Sequence, residues 1–324
     1  MNLLSVFVAA ALTGSSTNQL VWPPPPAAPR IQYVKSITGP ADLGVHRSIW
    51  GKIGDWITGN THADQFVKPL GVTCTDTGDL LFTDTGVNSV AWFDSTHKTY
   101  RRWDKIGSYR LASPVAMAKR GDRFYVADSA WRAVFAFDAK GKLQTIITNG
   151  LDRPAGLAVD GDNLFVADAG AHQIAVFDSA GKPLARFGRR GVAAGEFNYP
   201  THIASAGKGR LLVTDSMNCR VQLLSTNGAP LGVIGSIGDS SGHLSRPKGV
   251  ATDSAGNVYV ADAGFDNVQI FDQQGKLLLY FGAAGKQPGE FWLPGGVAIS
   301  RDNRIYVADT YNRRIQVFQY VGQP

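Results

Sequence analysis

Six times along the chain an apolar run of five or six residues ends in an aspartate: LLFTD at Asp84, RFYVAD at Asp128, NLFVAD at Asp168, LLVTD at Asp215, NVYVAD at Asp262 and RIYVAD at Asp309. These runs are rich in Val, Phe, Tyr and Leu and too short for helices, so each predicts a strand buried on both faces. Successive aspartates lie 44, 40, 47, 47 and 47 residues apart. Ahead of each run stands a proline that opens a shorter apolar strand: PLGVTC, PVAMA, PAGLAV, PTHIAS, PKGVAT and PGGVAI. Behind each, after a short turn, comes a third strand: SVAWFD, AVFAFD, QIAVFD, RVQLLS, NVQIFD and RIQVFQ. A fourth segment, clearest in PLARFG, PLGVIG and LLLYFG, completes the unit.

Four short strands repeated at this period are the sequence signature of a propeller blade. The pattern predicts an all-β fold, a six-bladed β-propeller over residues 30–324. The last unit ends at Pro324 before a fourth segment, and RIQYVKSI (residues 30–37) is a lone alternating strand at the opposite end. An N-terminal strand that completes the sixth blade closes the ring and leaves no open edge.

The remaining segments modify this picture at its margins. Leu3 to Leu12 is apolar and about ten residues long, too short for a membrane-spanning helix and suited to a secretory signal over residues 1–16. Ser15 stands where a lipoprotein signal would place its lipid-bearing cysteine, so no thioether-linked lipid is expected there. Export to the periplasm or extracellular space is the localisation this predicts, without an integral membrane span. Residues 17–29 contain WPPPPAAP, which predicts a stiff polyproline spacer. Ile49, Trp50, Ile53, Trp56 and Ile57 recur at helical spacing and predict a short helical insertion over residues 46–58. The 32 basic and 26 acidic residues are intermingled and give a net charge of +6, with no basic run of the kind that marks a nucleic-acid binder. Cys74 and Cys219 fall in different repeats, on opposite sides of a ring and too far apart for a disulfide.

The units KGVATDSAGNVYVADAGFDNVQIFDQQGK (residues 248–276) and GGVAISRDNRIYVADTYNRRIQVFQ (residues 295–319) resemble NHL repeats. The resemblance spans residues 69–319 and implies a six-bladed propeller of the bacterial exported or envelope type. It carries little about function, because propellers of this kind serve as sensors, RNA-binding domains, interaction modules and, in one branch, a metal-dependent lyase. The asparagine-arginine turn of the repeat survives as Asn218 with Arg220 and as Asn312 with Arg313 and Arg314.

Function must therefore be sought where the units differ. Blades four to six carry the longest and most aromatic connections, GEFNYPTHIA, AGFDN and GEFWLPGG. Aromatic residues beside charges in such loops suit a recognition surface. His202, Tyr199, Asn198, Asn218, Arg220, Lys248, Phe265, Asp266 and Trp292 are the candidate ligand- or partner-binding residues. His202 opens an inner strand at a position read as glycine in four other units (Gly71, Gly156, Gly249, Gly296) and as Val115 in the fifth. No nucleophile elbow, phosphate-binding loop or zinc motif is present, and His202 is the lone histidine on an inner strand, so no catalytic residue, metal or cofactor is assigned. The strand-terminal aspartates, being common to all units, are expected to brace turns. These features predict a monomeric, non-catalytic scaffold recognising a protein or other ligand on one loop face. The alternative is a metal-dependent lyase or hydrolase working at the mouth of the central channel.

Overall fold

A computed structural model of the chain describes residues 19–45 and 65–322. Six antiparallel sheets of at least four strands follow one another around a central channel, five contributed by one sequence unit each and the sixth by the last unit together with the N-terminal strands. The strands that open on the repeated prolines, Pro69–Cys74, Pro114–Arg120, Pro154–Asp160, Pro200–Gly207, Pro247–Thr252 and Pro294–Ile299, are the innermost of their sheets. The aspartate-ended strands lie next, and the fourth segments form the outer rim.

Closure is as the strand pattern predicts. Ile31–Ile37 pairs antiparallel with the last strand, Arg314–Tyr320, so the two ends of the chain share blade six. The proline-rich segment departs from expectation: Val21–Trp22 pairs with Ile31 and Gln32 and adds a fifth strand to that sheet. Trp22 packs on Phe281 and Phe318, at 5.9 and 5.8 Å between ring centroids. Residues 21–31 are thus an arm folded onto the gap between blades five and six, not a spacer that holds the body away. Val21 and Trp22 lie outside the proline run and keep the backbone groups that pairing needs, because only proline itself lacks the N–H. The expected helical insertion over residues 46–58 and the signal-like segment 1–16 lie outside the described residues. A two-stranded hairpin, Lys105–Ile106 with Tyr109–Arg110, is an addition that the strand pattern did not predict.

The apolar core lies between neighbouring blades. Trp92, Phe124, Phe137 and Trp103 interlock blades one and two, and Tyr259, Phe281, Phe291 and Phe318 interlock blades five and six. Alternate side chains of each twisted strand face opposite neighbours, so every blade is buried on both faces, which is why its second strand reads as continuously apolar.

The six aspartates explain how loops are held over this core. Each is buried, with at most 1% exposure, and its carboxylate accepts backbone N–H groups from the residues just before the inner-strand proline. Asp84 receives Val67 and Lys68, Asp128 receives Ala112 and Ser113, Asp168 receives Asp152 and Arg153, and Asp262 receives Ser245 and Arg246. Asp215 and Asp309 receive Asn198 and Trp292. One carboxylate per blade therefore binds two connections together at the same end of the ring.

Candidate functional site: the loop face around the channel

The channel has a volume of about 840 Å³ and is walled by the six inner strands. Its lining runs from Gly71 and His202 to the far ends of these strands, and at the opposite end, where the strands begin, the residues before the prolines repeat around a loop face: Lys68, Ser113, Arg153, Tyr199, Arg246 and Leu293. The turns after the aspartates complete this loop face.

His202 lies in the channel wall. The register corrects one alignment: Ala116, which pairs with Ala127, stands opposite His202 in the repeat, and Val115 falls one residue earlier. At Gly71, Gly156, Gly249 and Gly296 a Cβ would come under 3.0 Å from backbone atoms of the next inner strand. Glycine at this position lets adjacent inner strands close on one another. Blade four carries an imidazole there instead. Its Nδ1 is 3.1 Å from Thr201 Oγ1, Thr201 Oγ1 contacts Ser216 Oγ, and Ser216 donates to the carbonyl of Pro247 at 3.2 Å. Burial in the wall, reinforced by the neighbouring Lys248 ammonium, pushes the imidazole down to about 3.

Lys248 is half-buried one residue after Pro247. Burial and then the guanidiniums of Arg246 and Arg153 lower its affinity for a proton.

The other predicted residues divide into two groups. Asn218 and Arg220 act inside the structure. Arg220 donates to Asp215 at 2.9 Å and to the carbonyls of Val192, Ala193 and Glu196, and Asn218 donates to Asp215 and to Gly191 O. Gln222 completes the cage by bonding Glu196 O and Asp215. Blade six repeats the arrangement with Asn312, Arg314, Gln316 and Asp309. The backbone N–H of Asn198 is bound by Asp215, and the carboxylate of Asp266 accepts Leu293 N–H at 2.6 Å beside a half-buried Phe265.

Tyr199 and Trp292 are instead exposed, at 40% and 44%. Tyr199 meets the His172 ring edge-on at 4.8 Å, and Trp292 lies against Tyr311 at 5.5 Å. Lys286 sits over the Trp292 ring and Lys68 over Tyr311, at 5.3 and 4.8 Å. Tyr311, Lys68, Lys286, His172, Arg153 and Arg246 were missed from the sequence. The signal that could have found three of them is their shared place immediately before the inner-strand proline.

Among the described residues no group of three histidine, cysteine or carboxylate side chains converges as a metal site would require. Both cysteines are unpaired.

The NHL repeat family matches residues 151–177 and 291–318, in blades three and six of the six-bladed propeller. No curated protein sequence matches the chain. Among solved structures it is similar to a streptogramin B lyase, with TM-score 0.57 and 12% identity over 79% of this chain and 94% of that one. It is also similar to the hydrazine synthase of Kuenenia stuttgartiensis (TM-score 0.58, 16% identity, 80% and 97% covered) and to virginiamycin B lyase from Staphylococcus aureus (0.56, 14%, 79% and 96%). At these identities the likeness is one of fold. No helix among the described residues is long and apolar enough to cross a membrane.

Proposed function

We propose that this protein is a non-catalytic binding platform that receives a protein partner on the loop face around the channel mouth. The observation that carries the reading is the concentration of exposed aromatic rings there: Trp131 (45%), Tyr199, Trp292 and Tyr311 (44%). Each sits on a turn anchored from below by a buried aspartate, so the rings are presented on rigid backbone. Aromatic residues held in this way supply most of the binding energy at protein interfaces. The signal-like N-terminus supports a place for this platform in the cell envelope.

The test is site-specific photo-crosslinking in the envelope fraction, with the probe at position 217, in the exposed turn after Asp215 on the loop face, or at position 231 on the outer rim. The reading requires one partner joined at 217, not at 231, and lost when Tyr199→Ala and Tyr311→Ala are combined in a chain that melts as a propeller. Equal crosslinking at both positions would refute a dedicated face. The metal-dependent lyase or hydrolase alternative requires ligands that converge at the mouth, where the described residues offer one imidazole, His202.

A further inference from the structure

The channel reaches solvent at the end of the ring opposite the loop face. Where the inner strands end, its lining includes the exposed turns that carry Asp76 and Arg301. Asp76, Asp160 and Asp253 line this end together with Lys119, Arg120 and Arg301, and Asp79 and Asp162 are ion-paired to it. The mouth therefore carries an excess of two negative charges in a chain whose net charge is +6. A locally acidic mouth on a basic protein draws in small cations.

Four of its five carboxylates are already engaged. Asp79 pairs with Lys119 at 2.8 Å, Asp162 with Arg120, and Asp76 with Arg301 at 3.1 Å. Asp253 accepts the Tyr259 hydroxyl at 3.1 Å and Asn257 Nδ2 at 2.8 Å. Asp160 has no cation among the described residues. One of its oxygens accepts the Ser205 hydroxyl at 2.6 Å, and the other has no protein donor.

The inner end of the cavity offers a second acceptor. Pro247 O can only accept, so Ser216 must donate to it. Thr201 must then donate to Ser216, which makes His202 Nδ1 the donor to Thr201. The neutral ring is left with a lone pair on Nε2, for which no protein donor stands among the described residues. Between the two acceptors the wall is small and mostly apolar: two residues beyond the His202 level, on the same strand faces, stand Thr73, Ala118, Ala158, Ala204, Ala251 and Ala298.

The register sets the spacing of the acceptors. A Cβ on Gly156 would lie 3.0 Å from His202 Cα, so these two residues are neighbours across blades three and four. Asp160 is four residues beyond Gly156 on the same strand, which at a strand's rise per residue places it about 13 Å from the His202 level.

We propose that the channel takes up a small amino alcohol from this mouth: the ammonium is held by Asp160, the hydrocarbon body lies along the alanine-lined bore, and the hydroxyl donates to His202 Nε2. The cavity, at about 840 Å³, holds such a molecule in full. The site lies at the opposite end of the ring from the partner face and goes beyond the binding-platform reading, so either can fail without the other.

Calorimetric titration of the full chain at pH 7 and low salt tests it with four probes. Aminohexanol carries both groups at a separation that suits the two acceptors, hexylamine lacks the hydroxyl, hexanediol lacks the charge, and ethanolamine is too short to touch both ends. Saturable binding of aminohexanol is expected, tighter than that of the other three. Asp160→Asn, which keeps an acceptor for Ser205, should weaken it at least tenfold. Asp122→Asn, an exposed aspartate in the blade-two turn at the same mouth, should not. His202→Ala, which places in blade four the residue that blade two carries as Ala116, should remove the preference for aminohexanol over hexylamine. No saturable binding at millimolar concentration overturns the proposal and leaves the channel to water. So does equal weakening by Asp122→Asn, which would indicate a response to net charge alone, or a hydroxyl preference that survives His202→Ala.

Discussion

Placing a histidine in the wall of the channel makes the propeller sensitive to acid, and the size of the effect follows from its surroundings. In an unfolded chain the imidazole titrates at 6.5, and in the folded wall it is held down to about 3 by burial and by the adjacent Lys248 ammonium. Below pH 6.5 the unfolded state therefore binds a proton that the folded state refuses, so stability contributed by the neutral ring is present above pH 6.5 and is lost as pH falls toward 3. At pH 5 the gap spans 1.5 units, and at 1.36 kcal/mol per unit the loss is about 2 kcal/mol. In a chain of this size that corresponds to about 3 °C of melting temperature. The assay is urea unfolding of the native chain and of His202→Gln at pH 7 and pH 5. Glutamine retains a polar side chain in the wall but cannot take up the proton. Both proteins lose stability from titrating carboxylates, and the native chain should lose about 2 kcal/mol more. Parallel losses would refute the claim that the ring is held neutral by the wall.

Arg220→Gln and Arg314→Gln should each cost about 3 kcal/mol in urea unfolding, because each leaves a buried aspartate and several loop carbonyls without their donor. The two blades are separate, so the losses should add in the double variant. Removal of residues 19–37 strips blade six of its closing strand and its Trp22 arm, and the melting temperature should fall sharply; an unchanged midpoint would refute strand closure. Gly249→Ala should destabilise by about 1–3 kcal/mol through the clash of its Cβ with the next inner strand, whereas Ala116→Gly at the equivalent position should cost less than about 1 kcal/mol. Trp292→Ala should change stability by less than about 1 kcal/mol, since its ring is exposed and its backbone N–H supplies the bond to Asp309, while partner crosslinking at the loop face is lost.

The ring itself was legible because each blade must bury both faces of its second strand, which writes the same apolar run and terminal aspartate six times. Closure was legible for the same reason: a unit that lacks its fourth strand requires one from elsewhere. What misled was local composition. A proline cluster looks like a spacer, yet Val21 and Trp22 lie just before it with their pairing groups intact. Asn218 and Arg220 look like recognition residues because charges beside aromatic loops often are. Their geometry shows that guanidinium and amide groups are needed to satisfy the carbonyls of a loop that passes over a buried carboxylate. In a ring of near-identical units the fold is carried by what each unit repeats. Recognition depends on columns that run across units, and it lies at the positions where a column departs from the residue that the packing of its neighbours prefers.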